Sequence, residues 1–415
     1  LNFWSGDATN YVKISATGAA GNVILSGSAS LSSQPGVSMN WVRVLSKGGT
    51  VTLDSGTNPM AFGNNSSSSD IYLGADTVGG ASGNIDLNAP SFTWAGTVTT
   101  RSTGQLSIDS GSAQSFASSF TLPTNLTFAE LTGLRIGNAG TSGSNQNATT
   151  VTISKAINVA GTISAYGSLI EVKADVKSTA AGAGVLLKST GDITTTGGVS
   201  GTQRTIQTAG GPITLWSDSD ISLAGAINLA DYTTLNSENG ATDQTSAGGT
   251  ITLGGGTADA TDSRLPAGFA AGNSSGTRIG VLIGTSWGET PSTSDLFANT
   301  FNAYSGTAGI SISGKSASSR GVSIPMGSNI FAGGKISISG SSSADSNYYH
   351  AVALGDISTA PNANAQLQIV SAASVDAIAI TGIQSGASAT SPGKGVVGPT
   401  NYAVTPKPVI RASAG

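Results

Sequence analysis

The 415-residue sequence contains no cysteine and a single histidine, His350. That excludes disulfides, thiol nucleophiles and any zinc site built from Cys and His. Charge is scarce: Asp, Glu, Lys and Arg make up 10% of the chain, against roughly 25% in ordinary soluble domains. The 18 basic side chains form no cluster and the formal charge is −4, so there is no electrostatic footprint for nucleic acid or an anionic membrane. No apolar run approaches the roughly 18 residues needed to cross a bilayer, and no membrane insertion is expected. Aromatics reach only 6%. Apolar periodicity of 3.6 residues on a Leu/Ala/Glu/Lys-rich background is missing, which argues against helices. An initiator Met and a basic, apolar leader are missing as well. The opening LNFWSGDATN reads as the interior of a longer polypeptide, so a mature or excised segment is expected.

Glycine is plentiful, with 58 residues, and Ser, Thr and Asn recur throughout. With 13 Pro, the Gly and Pro content stays below the roughly 25 to 30% that marks low-complexity disorder. Ser, Thr and Asn compete with the helical backbone for hydrogen bonds and suit strands and turns. A chain of this make-up is expected to fold, and to fold as strands.

One phrase recurs: a turn, usually with Gly, then apolar residues at alternate positions. It reads GNVILSG from Gly21, GGTVTLDSG from Gly48, GNIDLNA from Gly83 and GQLSIDSG from Gly104. It returns as TTVTISK from Thr149, GGPITLW from Gly210, GGTITLGGG from Gly248, GISISG from Gly309, GGKISISG from Gly333 and NAQLQIVS from Asn364. Shorter phrases follow at a small distance: SRGVSIPMG from Ser319, YHAVALGD from Tyr349 and VDAIAITG from Val375. Alternation places Ile, Val and Leu on one face and Ser or Thr on the other, as in a half-buried strand.

Repeats of roughly 20 to 40 residues, each made of short strands without a helix, point to a stacked solenoid. Each rung buries its apolar face only against the rungs above and below. The irregular steps argue against a sandwich, whose strands recur every roughly 8 to 12 residues, and no propeller motif is present. The expected fold is all-β: a right-handed parallel β-helix, or β-solenoid rod. At roughly 25 residues per rung and about 4.8 Å between strands, it has about 16 rungs over about 75 Å. Val51 and Leu53, Ile213 and Leu215, Ile251 and Leu253, Ile310 and Ile312, and Ile336 and Ile338 are expected to point inward and stack. Residues 1–160 read as irregular N-terminal rungs, broken by LPTNLTFAELTGLRIGNAG at 122–140. Residues 161–390 read as regular rungs, and the Pro-containing 391–415 as a cap or linker toward a following module.

GGPITLWSDSD, AINLADYTTLNSENG, SAGGTITLGGGTADATDSRLPAGFA and GTRIGVLIG resemble the repeat regions of very large bacterial surface proteins of the filamentous-haemagglutinin and autotransporter-adhesin type. The resemblance is clearest over residues 191–371. It implies a secreted or cell-surface β-helical adhesin or filament segment, acting in attachment, aggregation or biofilm matrix at the exterior of the outer membrane. Host or neighbouring-cell surface glycans, or matrix glycans, are its implied partners. The N-terminal secretion domain of such proteins is not recognisable, TNPMAFG at Thr57 being too short a match, and no translocator barrel is present. NYAVTPKP from Asn401 resembles the opening of the small β-modules that follow such repeats. The apolar Leu1, Phe3 and Trp4 at an uncapped end suggest head-to-tail self-association into fibres.

Asp218 and Asp220 in WSDSD stand two apart, as a carbohydrate-active β-helix enzyme could present two carboxylates, but Asp and Ser between two strand phrases also make a polar corner. GGGTADATD at 254–262 has two acids without the repeat or spacing of a calcium roll. His350 precedes a strand phrase and reads as a surface side chain. TVTT at Thr97 and ITTT at Ile193 lack the register of an ice-binding array, and no glycine-rich phosphate loop stands between a strand and a helix. Tyr348, Tyr349, Trp287 and Trp94 could form an aromatic sugar platform or plug corners. Asn125 and Asn147 begin sequons that arise by chance in such a composition. No catalytic, metal-ligating or cofactor-binding residue is assigned and no cofactor is expected. The leading expectation is a non-enzymatic structural segment. The alternative is a carbohydrate-active β-helix enzyme or polysaccharide-binding module, which would gather its charged residues on neighbouring rungs.

Overall fold

Alternating apolar and hydroxyl-bearing residues form strands where the repeat phrase occurs, as in Ile213–Ser217, Ile251–Ala258, Ile310–Ser316 and Ile336–Ser342. This computed structural model describes residues 1–5, 10–63, 69–80, 82–110, 115–116, 118–139, 147–196, 203–272, 279–284, 301–344, 350–355, 366–385, 394–398 and 409–412. Among them there is no helix. The chain divides into two compact units, Leu1–Ser168 and Leu169–Gly415.

The second unit is built from parallel ladders that the chain visits in rotation. In one, Val185–Ser189, Ile213–Ser217, Ile251–Ala258, Ile310–Ser316, Ile336–Ser342 and Ile378–Gln384 stack in chain order. Another starts with residues 170–172, the end of strand Thr162–Val172, and passes through Ile193–Thr195, Ile227–Leu229, Val281–Ile283, Val322–Ile324 and Val352–Leu354 to Val396–Val397. A further one joins Val176–Ala181, Arg204–Ala209, Thr233–Asn236, Phe301–Tyr304, Ser328–Ala332, Gln368–Ser371 and Val409–Ala412. One strand per ladder per rung is the arrangement of a parallel β-helix. Residues 396–397 and 409–412, in the stretch read as cap or linker, contribute strands to it.

The first unit repeats the plan. Asn2–Trp4, Val37–Asn40, Met60–Phe62 and Phe92–Trp94 form one ladder. The long strands Val12–Ser26 and Val42–Asp54 run side by side, and then two ladders diverge. Residues 42–45 lead to Asp70–Gly74, Thr97–Arg101 and Leu126–Ala129. Residues 51–54 lead to Ile85–Asn88, Gln105–Asp109, Gly133–Ile136 and the start of Thr162–Val172. Residues 122–140 depart from the repeat phrase yet supply two of these strands, because Leu122, Leu126, Leu131 and Leu134 still fill inward positions.

Register turns alternation into columns. Ile213, Ile251, Ile310 and Ile336 lie one above the next, and Leu215, Leu253, Ile312 and Ile338 form the neighbouring column. All the pairs expected to point inward do so, none more than 2% exposed. Burial of each such side chain contributes about 1.5 to 3 kcal/mol. In the first unit the ladder that begins at Asn2–Trp4 ends in an aromatic stack, with Trp94 4.7 Å from Phe62 and 5.6 Å from Phe92, ring centre to ring centre.

The glycine that opens the phrase has a steric reason. Gly21, Gly49, Gly83 and Gly104 stack at one corner of successive rungs. A Cβ on Gly83 would sit 2.7 Å from the carbonyl carbon and oxygen of Gly49, and one on Gly104 2.7 Å from those of Gly83. The following residue caps the next rung: Asn22 Oδ1 accepts from the Thr50 amide at 2.8 Å, and Asn84 Oδ1 from the Gln105 amide at 3.0 Å.

Two stability measurements check this account. Ile336→Asp places a carboxylate inside an aliphatic column and should cost about 3 kcal/mol or more in urea unfolding. Gly83→Ala should cost about 1 to 3 kcal/mol through overpacking. Gly398→Ala, where an added Cβ meets nothing within 4 Å, should be neutral, and equal effects at the two glycines would contradict the corner-stacking explanation.

Candidate functional site

The WSDSD corner follows strand Ile213–Ser217. Trp216 is on the outward face of that strand, in register with Gly254, yet it is buried. The chain beyond Ile251–Ala258 folds back antiparallel as Pro266–Gly268, and the missing side chain of Gly254 leaves room for Pro266. The Trp216 indole donates to the Gly256 carbonyl at 2.8 Å. Lys188 Nζ lies 3.9 Å above the ring, and burial pushes the Lys188 pKa down.

Asp218 and Asp220 part company here. Asp218 is fully buried, while Asp220 is exposed and accepts from the Ser222 amide at 3.2 Å. Asp218 Oδ1 accepts from the Leu223 amide at 2.8 Å and from Ser222 Oγ at 3.4 Å. Its Oδ2 has no hydrogen-bond partner, and Lys315 Nζ stands 3.8 Å away. Burial raises the Asp218 pKa against the opposing pull of the Leu223 amide and Lys315. The backbone around it is strained: Asp218, Ile221 and Leu223 have φ of 49°, 63° and 64°, a region that costs a non-glycine residue about 1 to 3 kcal/mol. Ile221 and Leu223 carry their side chains into solvent. The two carboxylates therefore sit in opposite environments, Asp218 in the interior and Asp220 in solvent, where its charge adds to the rise of the Asp218 pKa.

A denser group lies in the first unit. Asp86, Ser107, Arg135 and Ser164 occupy one outward column on successive rungs, with Asp109 two positions beyond Ser107. The Arg135 guanidinium bonds Asp109 Oδ2 and the Gly137 carbonyl, both at 2.9 Å. Burial raises the Asp86 pKa, opposed by a Ser107 hydrogen bond and by Arg135, and reinforced by Asp109. Burial likewise raises Tyr166, opposed by Ser164 and Arg135. Two carboxylates, a guanidinium and a phenol thus lie on four successive rungs, with Asp109 paired to Arg135.

Glu238 is the third buried acid. After Thr233–Asn236 the chain leaves its ladder, and Asn236 holds the departure: Oδ1 accepts from the Glu238 and Gly240 amides, and Nδ2 donates to the Ala241 carbonyl at 2.8 Å. The excursion reaches far, since Gln244 Nε2 donates to the Val370 carbonyl at 2.9 Å. Asp243 accepts from the Thr245 and Ser246 amides, both at 2.8 Å, and such bonds hold its pKa down at about 2. Glu238 sits beneath, only 2% exposed. The amides of Gly306, Asp243 and Gln244 face its carboxylate, but neither oxygen attains a hydrogen bond. Burial dominates and raises its pKa.

The other sequence candidates are dispersed. Asp259 accepts from the Thr261 and Asp262 amides, and Asp262 pairs with Arg264 at 3.0 Å, so both carboxylates are engaged in their own turn. His350 Nδ1 accepts from the Lys394 amide at 3.1 Å. Trp94 belongs to the aromatic stack, and Asn125 Nδ2 donates to its carbonyl at 3.0 Å. Asn147 bonds the Asn138 backbone. Tyr348, Tyr349 and Trp287 lie outside the described residues. Among the described residues no group of three or more His, Asp or Glu could hold a metal ion. Sequence reasoning missed the Asp86 column, although aligning GNIDL, GQLSI and GLRI puts Asp86, Ser107 and Arg135 at one position. Nothing in NSENG marked Glu238 as buried.

Glu238 supports a pH prediction. Its folded pKa lies above the unfolded value, so its contribution is fully present below about pH 4.5 and lost as pH rises through the folded value. Glu238→Gln, which mimics the protonated form, should gain stability relative to the parent chain as pH rises from 4 to 7. Paired thermal melts at the two pH values check the sign, and a constant difference would count against it. Compared with protein-family models, curated proteins and solved structures, this chain finds no match.

Proposed function

We propose that this chain is a non-enzymatic structural segment of a secreted or cell-surface bacterial adhesin or extracellular filament, serving attachment, aggregation or biofilm matrix. The observation that carries the reading is the parallel stacking. In both units, successive phrases are devoted to inward aliphatic columns, glycine corners and backbone-capping Asn and Ser. Such a structure grows by adding rungs, which suits a spacer better than a single pocket. The resemblance of residues 191–371 to filamentous-haemagglutinin-type repeats supports the same reading, and with it an exterior location and glycan-bearing surfaces as partners. Head-to-tail association of such segments belongs to this proposal.

A carbohydrate-active reading has one observation in its favour, the grouping of Asp86, Asp109, Arg135 and Tyr166 on neighbouring rungs. Asp109 is engaged by Arg135, which leaves Asp86 as the one carboxylate of the group outside an ion pair, where glycoside hydrolysis ordinarily uses two carboxylates.

One experiment separates the readings. Bacteria whose parent protein lacks residues 1–415 should lose surface attachment, while Asp86→Asn in the full protein should leave attachment intact. The purified chain should release no oligosaccharide from matrix polysaccharides. Release that Asp86→Asn abolishes would replace the structural reading with the enzymatic one.

A further inference from the structure

Asp218 and Lys315 belong to strands two rungs apart on the same ladder. Asp218 follows Ser217, which lies beside Gly255 of the next strand, and Lys315 is on the strand after that. Only small residues intervene: the Gly256 amide donates to the Asp218 carbonyl at 3.2 Å, and Ala271 is in register with Lys315. The lysine can therefore reach past the intervening rung.

The geometry of the carboxyl is specific. Its Oδ1 is fixed by the Leu223 amide and Ser222 Oγ, whereas Oδ2 is buried without a hydrogen-bond partner and faces Nζ at 3.8 Å. That separation is too long for a hydrogen bond; the Lys315 side chain keeps 30% of its surface in solvent while Asp218 is fully buried, so the carboxyl does not recover its desolvation cost from the pair. Oδ1 already has the donors that would stabilise negative charge developing on it during attack at Cγ.

We infer that Lys315 and Asp218 are joined by an intramolecular isopeptide bond, a staple between non-adjacent rungs. One proton passes from the Lys315 ammonium to Oδ2, giving a free amine and a neutral carboxyl. The Nζ lone pair attacks Cγ, and charge on Oδ1 is held by the Leu223 N–H and the Ser222 hydroxyl. The Nζ–Cγ bond forms and the Cγ–Oδ2 bond breaks. Oδ2 departs as water with two of the three ammonium protons, and the third stays on the amide nitrogen. Ammonium plus carboxylate gives amide plus water, so no oxidant or co-reactant is required. Burial already favours the neutral carboxyl that the reaction needs. The product removes the orphaned oxygen and closes the chain around the excursion at residues 256–272. In a sequence without cysteine, it does the work of a disulfide. The inference does not rest on the functional reading above and would survive its failure.

Intact mass spectrometry of the folded 415-residue chain is the test. The expected mass is one water below that of the sequence, with a branched proteolytic peptide joining the segments that contain Asp218 and Lys315. Lys315→Arg keeps the cation, cannot form the bond and should show its full sequence mass. Ser222→Ala should reach the dehydrated mass more slowly after refolding. A parent chain with native circular dichroism but full sequence mass would overturn the inference, as would a water deficit that persists in Lys315→Arg.

Discussion

The spacing of about 4.8 Å between parallel strands governs both units. At that distance every side chain meets the residue at the same position one rung away, so each position must accept its own neighbour. Branched aliphatics do this well, hence the Ile213, Ile251, Ile310 and Ile336 column. Corner backbone is held at the same spacing and leaves no room for a Cβ, as the stacked Gly49, Gly83 and Gly104 demonstrate. Corner carbonyls still need donors, and buried hydroxyls at strand ends provide them: Thr208 bonds the Gly211 carbonyl, Ser237 that of Gly249, Ser305 that of Ala308 and Ser371 that of Gly334. The Gly, Ser and Thr bias of the composition thus follows from stacking, and so does the shortage of charge, because a charged inward column would repel itself.

This constraint also decides what could be read in the sequence. Inward columns were legible because alternation reports burial directly, and the expected pairs from Val51 and Leu53 to Ile336 and Ile338 are buried. Strands without the phrase were not: Leu126–Ala129 and Gly133–Ile136 are placed by leucines whose spacing is not period two throughout. Register between distant phrases was legible in principle for Asp86, Ser107 and Arg135, since it requires only that phrases be aligned. Trp216 and Glu238 lay beyond reach, because their surroundings come from excursions that local patterning does not encode.

Excursions are where the fold departs from its own rule. A ladder position satisfies its backbone groups with the rungs on either side, but a chain that leaves the ladder must find other partners. Around 237–247, Asn236 and Gln244 make those bonds and the Glu238 carboxylate is caught underneath. After residue 217, Asp218 performs the anchoring, accepting from Leu223 and Ser222 while the backbone turns through left-handed conformations. Asp218 and Glu238 arise at the same kind of place, the first residues outside a strand, whereas the buried Asp109 ends strand Gln105–Asp109 and is paired with Arg135.

That common origin explains why a chain with so few charges buries these two carboxylates. A carboxylate can accept from two or three amides at once, more than a serine hydroxyl can, so it suits a sharp exit where consecutive N–H groups point inward. At Asp218 the second oxygen, and at Glu238 both oxygens, are left facing the protein interior without a hydrogen bond, where desolvation opposes ionisation. At Glu238 the surrounding amides soften that penalty without removing it. At Asp218 the nearest counter-charge comes from Lys315, two rungs along the ladder. The local need for an acceptor at a corner is in this way converted into an interaction that spans rungs, and the stack becomes more than a sum of nearest-neighbour contacts.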